Sequence, residues 1–169
     1  HYNVPEHIGT DGHDDPESWH KTVNPSGIDR EVESKVNIIS DNKMGATLSW
    51  LSLESEDEDH TDGMLTTSAL TMMAEHKKKR SNQPFFLAVG YFRPHTPFLA
   101  PKKYFDMYPL KDIQLPEVLA NDRDDIPLAA LADRKNQLGL PNNTKKEIIQ
   151  AYYASVTFID EQVGKLLAG

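Results

Sequence analysis

Nothing in this chain constrains its fold more than the uninterrupted apolar run Pro84-Phe85-Phe86-Leu87-Ala88-Val89-Gly90-Tyr91-Phe92. A strand with one wet face alternates apolar and polar residues. A strand covered on both faces does not, so this run reads as a buried strand of a parallel sheet. Residues 63–80 before it place Leu65, Ala69, Met72, Met73 and His76 on one face at helical spacing. Thr61 or Asp62 can cap that helix, and Lys77–Arg80 suits the negative end of its dipole. A helix feeding a buried strand is an αβ unit, which makes the fold class α/β. Further on, Thr144-Lys145-Lys146-Glu147 reads as a capping box. It opens a helix whose stripe is Ile148, Tyr152, Val156, Ile159, Val163 and Leu166.

The apolar content is uneven. Leu, Ile, Val and Phe number 11 in residues 1–62 and 28 in residues 63–169. At about 18%, the first stretch is too poor in these residues to build a core of its own. It reads as a loop-rich polar segment, with short strands near Lys35–Ile39 and Ala46–Leu51. Residues 63–169 read as helix, strand, loop and helix, and the two stretches as parts of one incomplete domain. The run Glu54–Asp62 holds six carboxylates and no Lys or Arg, so it reads as a solvated loop. The chain opens on His1 rather than Met and stops at Gly169, where an α/β protein would continue into its next strand. The expectation is a piece of a longer protein.

Composition removes several classes. The net charge of −8 lacks the basic footprint of a nucleic-acid binder. No apolar run approaches the roughly 20 residues of a membrane-spanning helix. With no cysteine, the chain has no disulfide, zinc–thiolate site or cysteine nucleophile.

Arg93-Pro94-His95-Thr96-Pro97-Phe98 directly follows the apolar run. Open α/β sheets bind ligands at the carboxyl ends of their strands. Two prolines stiffen the backbone around His95 and so fix an imidazole at low entropic cost. An imidazole there can donate to an oxyanion or protonate a leaving oxygen. Arg93 can fork onto a pair of anionic oxygens. The plainer alternatives are a surface histidine and a solvated arginine at a strand end.

The stretch from Gln83 through Arg93-Pro94-His95-Thr96-Pro97-Phe98 and Ala100-Pro101-Lys102-Lys103-Tyr104-Phe105 to Tyr108-Pro109 resembles the type I sulfatases, nearest the iduronate-2-sulfatase-like group. Ala151-Tyr152-Tyr153-Ala154-Ser155-Val156-Thr157-Phe158-Ile159-Asp160 resembles the helix that precedes a metal-binding strand in that family. Asp14-Asp15-Pro16-Glu17-Ser18-Trp19 resembles one of its loops. The resemblance implies an alkaline-phosphatase-like sandwich, with a mostly parallel central sheet covered by helices. It also implies hydrolysis of sulfate esters, of sulfated carbohydrates above all, with a formylglycine nucleophile and Ca2+.

The formylglycine motif Cys/Ser-x-Pro-x-Arg is absent from this chain. The resemblance places the nucleophile and the calcium ligands outside residues 1–169, so no metal ligand is expected within them and the piece alone should be inactive. His95 matches the family histidine that contacts sulfate. Arg93 stands where relatives often carry lysine and is expected to contact substrate. Asp15 is either a substrate contact or a cap that orders its own loop. Trp19 either stacks on a sugar or plugs its loop against the core. Family members are usually exported, which implies a periplasmic, extracellular or lysosomal location. Two other readings stay open: a phosphonate or phosphate monoester hydrolase of the same superfamily, and a non-catalytic sugar-binding module. Oligomeric state is not legible.

Overall fold

The structure is a computed structural model that describes residues 7–39, 48–80, 82–131 and 135–169. Its sheet is small and mixed. Strand β1 (Asn37–Ile38) pairs antiparallel with β2 (Ser49–Leu53), and β2 pairs parallel with β3 (Phe98–Pro101). The parallel register sets Trp50 beside Phe98 and Leu51 beside Leu99. Helix α1 (Ile28–Glu31) precedes the sheet, and α2 (Thr61–Arg80) lies in the crossover between β2 and β3. Helix α3 (Lys102–Asp106) follows β3 without a break, and α4 (Asn142–Ala168) packs across β3, α2 and α3. The two expected short strands correspond to β1 and β2, and Ala46 and Thr47 lie outside the described residues.

The core joins Trp50 and Phe98 from the sheet, Tyr104 and Phe105 from α3, and Ala151, Ala154 and Phe158 from α4. Phe158 packs against the rings of both Tyr104 and His60. The face that α4 buries is Ala151, Ala154, Ser155, Phe158 and Gln162. Of the expected stripe, Tyr152, Val156 and Val163 are exposed, while Ile148 and Ile159 are half-buried at the core's margin. The reason is steric, because small residues let the helix axis approach β3 closely. The expected capping box is also absent. Pro141 takes the N-cap, and Thr144 lies inside the helix. Proline is well suited to a helix start, where an N–H has no intrahelical partner.

The apolar run departs furthest from expectation. Residues 84–92 carry no strand assignment and pair with no strand among the described residues. They run back along α2, tied to it at both ends. His76 Nε2 lies 2.7 Å from the Gln83 carbonyl oxygen, and the His76 ring packs on Phe85. At the other end the Tyr91 and Thr66 hydroxyls are 2.7 Å apart. Phe85 and Phe86 are 57% and 81% exposed, so the other side of the segment is uncovered.

The acidic run is only partly solvated: Glu54, Glu56, Glu58 and Asp59 are exposed, but Asp57 and Asp62 are folded into the interior. Asp57–Asp59 forms a 3-10 turn with a reciprocal Glu56–Asp59 cap, and Asp57, His60, Thr61 and Asp62 are buried. Asp57 accepts hydrogen bonds from Tyr104 Oη (2.9 Å), Gln162 Nε2 (3.0 Å) and Lys165 Nζ (2.8 Å), and pairs with Lys103 (2.7 Å). These partners come from α3 and α4, so cations distant in sequence neutralise what looked like uncompensated charge. Burial pushes the Asp57 carboxyl up, but Lys103, Lys165, Tyr104 and Gln162 outweigh it and hold it at about 2.

Candidate functional site

The loop 93–97 connects the extended segment to β3. Both of its Xaa–Pro peptides, Arg93–Pro94 and Thr96–Pro97, are cis. A turn closes within it, the His95 amide donating to the Phe92 carbonyl at 3.0 Å. The imidazole of His95 is exposed, with Nδ1 2.6 Å from the Thr96 carbonyl oxygen. A carbonyl accepts only, so Nδ1 carries the proton in this contact. The Thr96 hydroxyl lies 3.3 Å from that of Ser49 on β2, which anchors the loop's return.

Arg93 behaves differently from the expectation of a substrate contact. It is buried, and its Nε donates to the Leu99 carbonyl at 3.1 Å. Its Nη2 reaches Asp29 Oδ2 at 3.3 Å. Asp62 does not cap α2 through its side chain. Its carboxylate accepts the amides of Phe92 (2.8 Å) and Arg93 (3.0 Å). Burial raises the Asp62 carboxyl above its ordinary range, and the charge of Arg93 and the two amides pull against that. Thr61 likewise faces away from its own helix, donating its hydroxyl to Asp29 and accepting from the Gly27 amide. Asp29 was not singled out from the sequence, and Asp62 was expected only as a helix cap and part of the acidic run. Asp29 lies in no motif, and only the tertiary fold brings it to Arg93.

Asp15 turns onto its own loop, accepting from the Ser18 hydroxyl (2.6 Å) and the Glu17 amide (3.1 Å), and those bonds hold its carboxyl below the ordinary carboxylate range. Trp19 is 40% exposed and stacks on Phe86, with ring centroids 6.0 Å apart. The structure therefore puts Arg93 and His95 on one loop, sets Trp19 against the segment leading into that loop, and leaves Asp15 in a local turn.

Among the described residues, no group of three or more His, Asp or Glu side chains is gathered as a metal would require. The buried carboxylates of Asp29 and Asp57 are paired with Arg93 and with lysines.

Residues 14–169 match the family model described as Sulfatase. A "Sulfatase" of Formosa agariphila is 41% identical over 107 residues, covering 59% of this chain and 21% of that protein. The human "Iduronate 2-sulfatase" is 37% identical over 121 residues, covering 63% of this chain and 22% of that protein. An "Arylsulfatase" of Clostridium perfringens is 40% identical over 100 residues, covering 54% of this chain and 19% of that protein. The matched part of the chain thus spans about a fifth of the length of these relatives.

Proposed function

The chain belongs to the sulfatase family, and on that premise we propose that the protein containing it hydrolyses sulfate esters, with sulfated carbohydrates as the substrate class. His95 is the group in this chain that serves the reaction. The observation that carries the reading is the exposed imidazole on a loop whose two ends are hydrogen-bonded to α2, β2 and β3. With Nδ1–H held by the Thr96 carbonyl, Nε2 carries a proton only in the imidazolium, and it is as that cation that His95 donates to a sulfate oxygen or to the departing alcohol. A donor held in place before substrate arrives stabilises developing negative charge without reorganising in the transition state. Trp19 belongs to the same proposal as a carbohydrate contact by its half-exposed indole, and Asp15 supports it by ordering the loop that carries it.

The nucleophile and the cation are assigned to the remainder of the protein. A formylglycine would supply the oxygen that attacks sulfur, and Ca2+ would neutralise the sulfate oxygens. The mostly parallel central sheet is assigned there too. Residues 84–90 would be one of its strands, with α2 covering one face and strands from outside this chain at its edges. The family resemblance favours export to a periplasmic, extracellular or lysosomal compartment, and no described helix is long and apolar enough to cross a membrane.

The test uses the whole protein. Sulfate release is measured from p-nitrophenyl sulfate and from a panel of sulfated mono- and disaccharides, with the matching phosphate esters and phosphonates as controls. Sulfate esters should be preferred, and His95→Ala should lower turnover by about 10²–10⁴. Preference for the phosphorus esters, or near-normal turnover in the variant, would overturn the reading.

A further inference from the structure

We propose that Asp29 is a positioning residue for the His95 loop and acts through its buried ion pair with Arg93. The inference rests on the role given above to His95. The loop leaves the extended segment at Phe92 and rejoins the sheet at Phe98. Arg93 spans its mouth, since the bond from Nε to the Leu99 carbonyl ties the entering leg to the returning one. The guanidinium then continues inward to Asp29, with both side chains more than nine-tenths buried. A guanidinium that gripped substrate sulfate would face the solvent-filled side of the loop. This one is 7% exposed and faces the interior.

Asp29 is placed to transmit position rather than merely to neutralise charge. While Oδ2 meets Arg93, Oδ1 accepts both the Thr61 amide (2.8 Å) and the Thr61 hydroxyl (2.7 Å). The next residue, Asp62, grips the amides of Phe92 and Arg93. The entry to the loop is thus held by side chain and backbone together, both referred to the first turn of α2. Lysine at position 93 could satisfy the charge but not the two-point geometry, because an ammonium lacks the planar fork. Removing the carboxylate would leave the guanidinium buried and unpaired.

The experiment is a mutant cycle in the whole protein, using the fastest ester of the panel above and following the unfolding midpoint of every variant. Asp29→Asn and Arg93→Lys should each lower kcat by about 10- to 100-fold with KM within about twofold, as a small misplacement of a reacting group does. The double variant should be no worse than the poorer single one, and Asp29→Glu should regain part of the loss. In a His95→Ala background, Asp29→Asn should cost nothing further, which a general structural role would not produce. If Asp29→Asn does not fold at the assay temperature, Arg93→Lys alone and in the His95→Ala background carries the same comparison. Losses that multiply, a loss carried by KM in Arg93→Lys, or full kcat in either single variant would overturn the proposal. Normal turnover in His95→Ala would instead overturn the role given to His95, so the two failures are distinguishable.

Discussion

His60 carries a pH signature of its own. It is 1% exposed, its Nε2 lies 2.8 Å from the Ser55 hydroxyl, and its ring packs on Phe158. Burial pulls its pKa down from 6.5 to about 4, and the nearby carboxylate of Asp29 only partly opposes this. The unfolded chain therefore takes up a proton below pH 6.5 that the folded one refuses until about pH 4. Stability should fall across that window by an amount on the order of 3 kcal/mol. Asp57 adds a lower window. Its carboxyl is depressed from 3.8 to about 2, so its contribution is present above 3.8 and disappears as pH falls toward 2. Denaturant unfolding at pH 7, 5.5 and 4.5 should show the first slope, and His60→Gln should flatten it. At neutral pH, Asp57→Ala should cost about 1–3 kcal/mol for each buried donor left unpaired, Tyr104 Oη and Gln162 Nε2.

At the scale of elements, the first turn of α2 approaches its neighbours with no room to spare. A Cβ on Gly63 would lie 1.8 Å from the Asp57 carbonyl oxygen, and one on Gly27 would lie 2.4 Å from the Thr61 amide nitrogen. Both clashes are with backbone, which side-chain motion cannot relieve. Gly63→Ala should therefore destabilise by about 3 kcal/mol or more, at or above the usual range for overpacking. It should also loosen the Asp62 contacts to Phe92 and Arg93. An unchanged unfolding midpoint would show that the turn can move aside. The long helices α2 and α4 were legible because their spacing survives in the sequence, but their end signals were not, since Pro141 rather than a capping box opens α4. The buried side of α4 was not. Ranking residues by hydrophobicity selects Tyr152, Val156 and Val163, whereas packing against β3 selects Ala151, Ala154 and Ser155 by size.

Considered as a whole molecule, the described residues expose apolar side chains at Phe85–Phe86, on the outer side of α4 at Tyr152, Tyr153, Val156 and Leu167, and at Val118, Leu119 and Leu128. An extended apolar segment with unpaired edges is a template for strand addition. In the whole protein, amide hydrogen exchange at residues 85–90 should be slow, as in an interior strand, while in the isolated chain it should be fast. Equal, fast exchange in both would refute the sheet proposed for this segment.

The sequence by itself determined the family and the long helices α2 and α4. Helical spacing is a local pattern on which burial acts locally, whereas the unbroken apolar run of residues 84–92 forms no strand among the described residues. It also drew attention to His95, because a histidine between two prolines after such a run is visible without coordinates. Tertiary structure alone decided where the charges go. Arg93 meets Asp29, Asp57 meets Lys103 and Lys165, and Asp62 meets the amides of residues 92 and 93 across long stretches of chain. Electrostatic pairing depends on distance in space, which no local pattern encodes. An acidic run that looks solvated, and an arginine that looks free for substrate, therefore take their partners only when the helices close over them.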